Sequence, residues 1–192
     1  MSAVLLCLAG AANAGDARSH GVSGHNMASK SQTVLFGVDS DFSMPISSAY
    51  SDANGLGLGA LLTVEYPLPM IEQLSLTARA GFSYHLDKNP PGAPTVDVHV
   101  HNIPVLFGAK YYLMENDRQG LFAAAEMGIF DLMAGSSVGT VTGDGVKFGI
   151  GAGVGYAYKE WNFRVNLHSH DVGNFGDFLA VSGGIGYQFG GI

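Results

Sequence analysis

The chain has a single cysteine in 192 residues, Cys7, so neither a disulfide framework nor a cysteine-based metal centre is available to it. Charge is scarce as well. Only 13% of residues are Asp, Glu, Lys or Arg, against about a quarter in an ordinary soluble domain. Basic residues are the rarer sign, and the net charge of −7 argues against a nucleic-acid partner, whose phosphates require a basic face. No stretch of about 18 consecutive apolar residues occurs, which removes transmembrane helices. Mean hydropathy is nevertheless positive, at +0.21. Hydrophobicity that is high on average but never continuous has to be dispersed by alternation, and alternation means sheet.

What the chain has in abundance is glycine, 28 residues. The first segment carries little of it. Ala3 to Ala12 is short and apolar, and Ala12-Asn13-Ala14 is an A-x-A-like cleavage site, so residues 1–14 read as a secretory signal peptide lacking its basic start, as in a truncated leader. Leu6 before Cys7 is not the small residue that a lipoprotein site prefers. Residues 15–32 are rich in Ser, Gly, His and Asn without periodicity and read as a flexible tail, with His20 and His25 solvated.

From Thr33 to Phe189 the pattern has a period of two, the signature of strands. Gly145 to Tyr158 is the clearest case: Phe148, Ile150, Ala152, Val154, Tyr156 and Tyr158 form one face, and Lys147, Gly149, Gly151, Gly153 and Gly155 the other. Similar segments run over Thr33–Phe42, Gly55–Tyr66, Leu74–His85, Asn102–Leu113, Leu121–Leu132, Asn162–His170 and Phe178–Phe189. In the first, Asp39 and Asp41 oppose Val38 and Phe42. In the fourth, Pro104 lacks a ladder donor and predicts a bulge or local break. Leu121–Leu132 is less clean, because placing Glu126 on the polar face puts Phe122 and Phe130 there too. About eight strands of roughly ten residues is the length that crosses a bilayer at a tilt.

The charges tell the two faces apart. Glu65, Arg79, Lys110, Lys147 and Arg164 all fall opposite the apolar face, which chance would give about one time in 32 with two faces per strand. Continuous rows of Leu, Ile, Phe and Tyr would overfill a small barrel, whereas a row of glycines suits a crowded interior. The apolar faces therefore belong in lipid, and Glu65, Arg79, Lys110, Glu126, Lys147 and Arg164 are expected to pair in the lumen, since unpaired buried charge is costly. With both termini periplasmic, the mostly longer connections (43–54, 86–97, 133–144 and 171–177) are extracellular and the turns near 67–73, 114–120 and 159–161 periplasmic. Aromatics then fall at strand ends as interfacial belts: Tyr66, Tyr111, Tyr158, Trp161 and Phe189 on the periplasmic side, Phe42, Tyr84 and Phe148 on the other.

The span from about Thr33 to Phe189 resembles the bacterial outer-membrane β-barrels of the small OmpA/OmpX-like type, on the strand Ile103–Leu113 (IPVLFGAKYYL), the segment Leu121–Phe130 (LFAAAEMGIF) and the closing GGIGYQF that ends at Phe189. The resemblance implies a closed antiparallel up-and-down all-β barrel of about eight strands in the outer membrane. It also implies that Tyr187 and Phe189 present an insertion signal to the barrel insertion machinery. Here Gly190, Gly191 and Ile192 follow as a C-terminal extension.

Chemistry is sparse. The glycines of 149–155 are spaced G-x-G-x-G-x-G with no helix after them, which is not a phosphate-binding fingerprint. Histidines gather near the predicted extracellular rim, namely His85, His99, His101, His168 and His170; the last two are weak metal candidates. Leu167–His170 faintly resembles the site of outer-membrane lipid A deacylases, but His168 and Ser169 fall on opposite faces, wrong for a nucleophile and its base. Eight strands leave a lumen that side chains just fill, so a wide pore is not expected. The sequence reads as a monomeric barrel with a structural or surface-interaction role, needing no cofactor and touching outer-membrane lipid and lipopolysaccharide. A small pore and a lipid A-modifying enzyme stand as the alternatives.

Overall fold

A computed structural model describes residues 33–91, 95–114, 118–136 and 145–191. The predicted signal peptide and tail, Ile192, and most of the 133–144 connection lie outside them. Eight strands follow in chain order: β1 (Leu35–Pro45), β2 (Gly57–Pro67), β3 (Leu74–His85), β4 (Val98–Tyr112), β5 (Gly120–Ser136), β6 (Gly145–Tyr158), β7 (Trp161–Ser169) and β8 (Leu179–Gly191). Each pairs antiparallel with its neighbour, and β8 closes on β1, so the sheet is a complete up-and-down barrel with no free edge. Gly190 and Gly191 belong to β8, opposite Phe36 and Leu35, so they extend the closing seam instead of trailing beyond it.

Alternation sorts the side chains by face. Val38, Leu58, Leu62, Phe107, Val154 and Val165 are all at least 43% exposed, while Asp39, Glu65, Arg79, Lys110 and Arg164 are all under 9%. A water-soluble barrel has the reverse arrangement. An apolar outer wall on a closed barrel, each strand paired with both neighbours, is the solution that hydrocarbon solvent demands.

Two details depart from the simple alternating pattern. β5 points Phe122 and Phe130 inward along with Glu126, and each starts a small apolar cluster inside the barrel: Phe122 with Tyr112 and Ala157, Phe130 with Val100, Leu106 and Leu132. Pro104 produces a gap in the β3–β4 ladder opposite Gly81 and Phe82 without a register shift there, because the residues on both sides keep the same pairing sum. The register shift lies elsewhere, between Phe36 and Gly37 at the β1–β8 seam.

The glycines of β6 answer the inward aromatics of β5. A Cβ at Gly149 would overlap the Phe130 ring and stand 2.5 Å from the Ser169 carbonyl; at Gly155 it would overlap the Phe122 ring. Replacing Gly149→Val should therefore cost about 1–3 kcal/mol by overpacking. Urea unfolding in detergent micelles measures it, and Phe130→Ala in the same chain should recover part of the loss. No recovery would mean that the clash is with backbone alone.

Candidate functional site

Among the described residues, polar chemistry concentrates in the lumen. Toward the short-turn end, Lys110 Nζ donates to Glu65 Oε2 at 2.6 Å and to Asn162 Oδ1 at 3.3 Å. Tyr112 and Gln188 also donate to the Glu65 carboxylate, at 2.9 and 3.1 Å. The ammonium sits 4.8 Å from the Phe122 ring centroid, a cation–π contact that the inward turn of Phe122 makes possible.

The next layer draws on alternate strands. Arg79 of β3 forks onto both oxygens of Glu126 of β5 at 3.1 and 2.9 Å, and its Nε meets Asp39 of β1 at 3.1 Å. Arg164 of β7 reaches the same Asp39 oxygen at 3.2 Å. Asp39 thus joins two guanidiniums. Its parity on β1 carried its inward face in the sequence, since it alternates with Val38 and shares a face with Gly37, but not its partners. Lys147, by contrast, stands apart from the other five charges named from sequence: it is one-third exposed and pairs with Asp171 at 3.3 Å near the end of the long connections.

That end is capped from within. The connection after β1 folds into a short helix, α1 (Ser48–Ala53), which sequence periodicity does not announce. Tyr50 drops from α1 into the lumen, 2% exposed, with its ring beside His170, Phe178 and His85. Burial pushes the Tyr50 phenol up, and burial next to His168 and His85 holds the His170 ring well below the ordinary histidine range. The protonated phenol and the neutral ring's Nδ1 share a hydrogen bond at 2.9 Å. Asn54 ties the helix end to β4, accepting from Val100 N at 2.5 Å and donating to Val100 O at 3.4 Å.

The histidines divide between the two sides of the wall. His168 and His170 are buried inside with ring centroids 4.6 Å apart; His99 and His101 stack at 4.3 Å on the outer side, where His99 Nδ1 meets Asp87 at 2.7 Å. His85 is fully buried and shares a 3.0 Å hydrogen bond with Ser43 Oγ. Among the described residues no three His, Cys, Asp or Glu side chains converge as a metal site. Ser169 is also fully buried, and its hydroxyl donates to the carbonyls of Asp171 and Phe175, both at 3.1 Å.

Asp171 anchors the β7–β8 connection. It accepts from the Asn174 amide at 3.0 Å and from Gly173 N at 2.9 Å, and these bonds, with Lys147, hold its carboxyl below the usual range. A depressed pKa contributes stability that is present above the unfolded value of about 3.9 and lost as pH falls through the folded value. The Gly173 amide should therefore be protected from hydrogen exchange at neutral pH and lose protection below about pH 4. Protection that persists in Asp171→Ala, which has no acceptor for the Gly173 amide, would show the turn to be held by something else.

The aromatic residues named for the belts, Tyr66, Tyr111, Tyr158, Trp161 and Phe189 at one end and Phe42, Tyr84 and Phe148 at the other, are all exposed on the outer wall. Tyr187 is exposed there as well, packed edge-on against Trp161. Asp131 follows the outward parity of β5 just beyond Ile129 and Phe148, which limits the apolar band on that side.

No protein-family model matches the chain, and no curated protein sequence matches it. Solved structures do. The Yersinia pestis outer-membrane protein Ail in a phospholipid bilayer nanodisc has a TM-score of 0.50 and 12% identity over 82% of this chain and 99% of that one. Neisserial surface protein A (NspA) gives 0.49 and 15% over 81% and 97%, and crystalline Ail in complex with the heparin analogue sucrose octasulfate 0.47 and 11% over 82% and 97%. The match to Ail in the nanodisc, at so low an identity, is a likeness of fold alone. Together with the apolar outer wall, the fold is that of a small integral β-barrel of the bacterial outer membrane.

Proposed function

We propose that this outer-membrane barrel is not a channel, and that its role is structural or interactive, exercised through the connections at its extracellular end. The observation that carries this is the ion-paired layer of Asp39, Arg79, Glu126 and Arg164, which links β1, β3, β5 and β7 across the lumen. The spaces on either side are small, about 20 Å³ and 10 Å³, enough for water and not for a solute path. The charges act as a plug.

The surface role has support from the connections after β1, β3 and β7, which expose Ile46, Leu56, Leu86, Val172 and Phe175 at 40–56%. Apolar side chains held outside a barrel on anchored loops suit a partner surface. The outer wall contacts membrane lipid and lipopolysaccharide, Tyr187 and Phe189 serve the insertion machinery, and closure without a free edge suits a monomer. The enzyme reading loses ground because the Ser169 hydroxyl is turned to loop carbonyls and not to His168.

Planar-bilayer recording on the purified monomer decides the first part. No stable large conductance is expected, and a steady open channel would overturn the plug. For the second, replacing the exposed apolar residues of the connections with serine should change cell-surface adhesion while leaving heat-modifiable gel migration intact. Unchanged adhesion in every such variant would remove the interactive reading.

A further inference from the structure

Charge inside the barrel does not balance. Among the described residues, the buried lumen carboxylates are Asp39, Asp41, Glu65 and Glu126, and the buried lumen cations are Arg79, Lys110 and Arg164. Lys147 does not make up the difference, because it is paired with Asp171. Asp39, Glu65 and Glu126 have their cations. The excess negative charge belongs to Asp41, which has no ion pair and whose Oδ1 makes no hydrogen bond.

Asp41 lines a lumen cavity of about 20 Å³, together with His168 and Ser182. His168 Nε2 also lacks a hydrogen-bond partner, and Ser182 Oγ lies beside the Asp41 carboxyl without a well-aligned hydrogen bond. The three residues are 9%, 9% and 1% exposed, so bulk solvent reaches them little. A lone ionised carboxylate at this depth is expensive and acquires a counter-charge. The space suits a water-sized occupant and is far too small for an organic ligand. A hard divalent cation such as calcium asks for six or more oxygen ligands, whereas an imidazole nitrogen open to the cavity suits a proton.

We propose that Asp41 and His168 form a proton-binding site, with one proton carried by either group in the lumen cavity that both line. The other titratable or charged groups facing the pair are Arg79 and His85 from β3, Glu126 from β5, His170 past the end of β7 and Tyr50 from α1. Arg79 is committed to Asp39 and Glu126, and so does not neutralise Asp41. The His168 ring packs on His170, which holds Tyr50, so the charge of the site lies one ring away from the cap.

The test uses the full chain refolded in phospholipid at neutral pH. Infrared spectroscopy looks for the carbonyl band of a buried carboxylic acid, and ring-¹⁵N histidine NMR looks for an imidazolium. The wild type should show one of these, and Asp41→Asn should lose it. If the signature is an imidazolium, His168→Gln should lose it too. A wild-type spectrum with neither signature overturns the proposal, and that result needs no variant to fold. A thermal transition raised by sodium over choline at constant ionic strength, with the rise absent in Asp41→Asn, would also overturn it, because the counter-charge would then be a metal cation.

Discussion

Arg79→Ala should lower the stability of the folded barrel by about 3–5 kcal/mol, the scale for removing one partner of a buried ion pair. Arg79 is 4% exposed and serves two carboxylates on two strands. Its loss leaves Glu126 without a cation and Asp39 with Arg164 alone. Most of the cost is the desolvation of a carboxylate that no longer has a counter-charge, and not the value of the pair itself. A second change makes that distinction measurable. Arg79→Met with Glu126→Gln removes both charges, and since replacing a whole buried pair with neutral groups is often close to neutral, it should recover most of the stability. Equilibrium unfolding in urea from phospholipid vesicles reads both variants. A single variant within about 1 kcal/mol of wild type would mean that water reaches the layer and screens it.

Leu62→Arg should cost about 2–4 kcal/mol, the penalty for a cation on the lipid face near the bilayer midplane. Leu62 lies midway along β2 between Val38 and Ala80, and at 67% exposed it has few protein contacts to lose. In water the same change would be nearly neutral or favourable, because it exchanges an exposed apolar side chain for a solvated one. The sign of the effect therefore reports which solvent surrounds the barrel. Phe42→Arg, closer to the strand end, should cost less, since the penalty falls to about 0–1 kcal/mol near the interface. Equal penalties at the two positions would argue against a depth-dependent lipid environment.

Much of this barrel is legible in one dimension. The Gly145–Tyr158 alternation matches β6 to the residue, and the faces of β2, β3, β4 and β7 follow from where Glu65, Arg79, Lys110 and Arg164 stand relative to their apolar neighbours. Strand parity is a local property with only two outcomes, so a few charges decide it. Parity also explains the weakest reading. Phe122 and Phe130 looked misplaced beside Glu126, and they are inside because Gly155 and Gly149 on the neighbouring strand vacate the space that each ring occupies. Either strand read alone misses it.

Partners within the lumen were less accessible. Asp39 had the right face but nothing local to say that Arg79 and Arg164 would both reach it from two other strands. Tyr50 had no signal at all, since its helix is only six residues long and its burial depends on His85, His170 and Phe178, all distant in the chain. The sequence by itself determined the strands, the face each turns to lipid and the closure they imply, because alternation and solvent preference act residue by residue. Only the tertiary structure decided which charges meet, which aromatic rings fill the glycine spaces, and that Asp41 is left without a cation. Those depend on register between strands, and register fixes distances that no single strand contains.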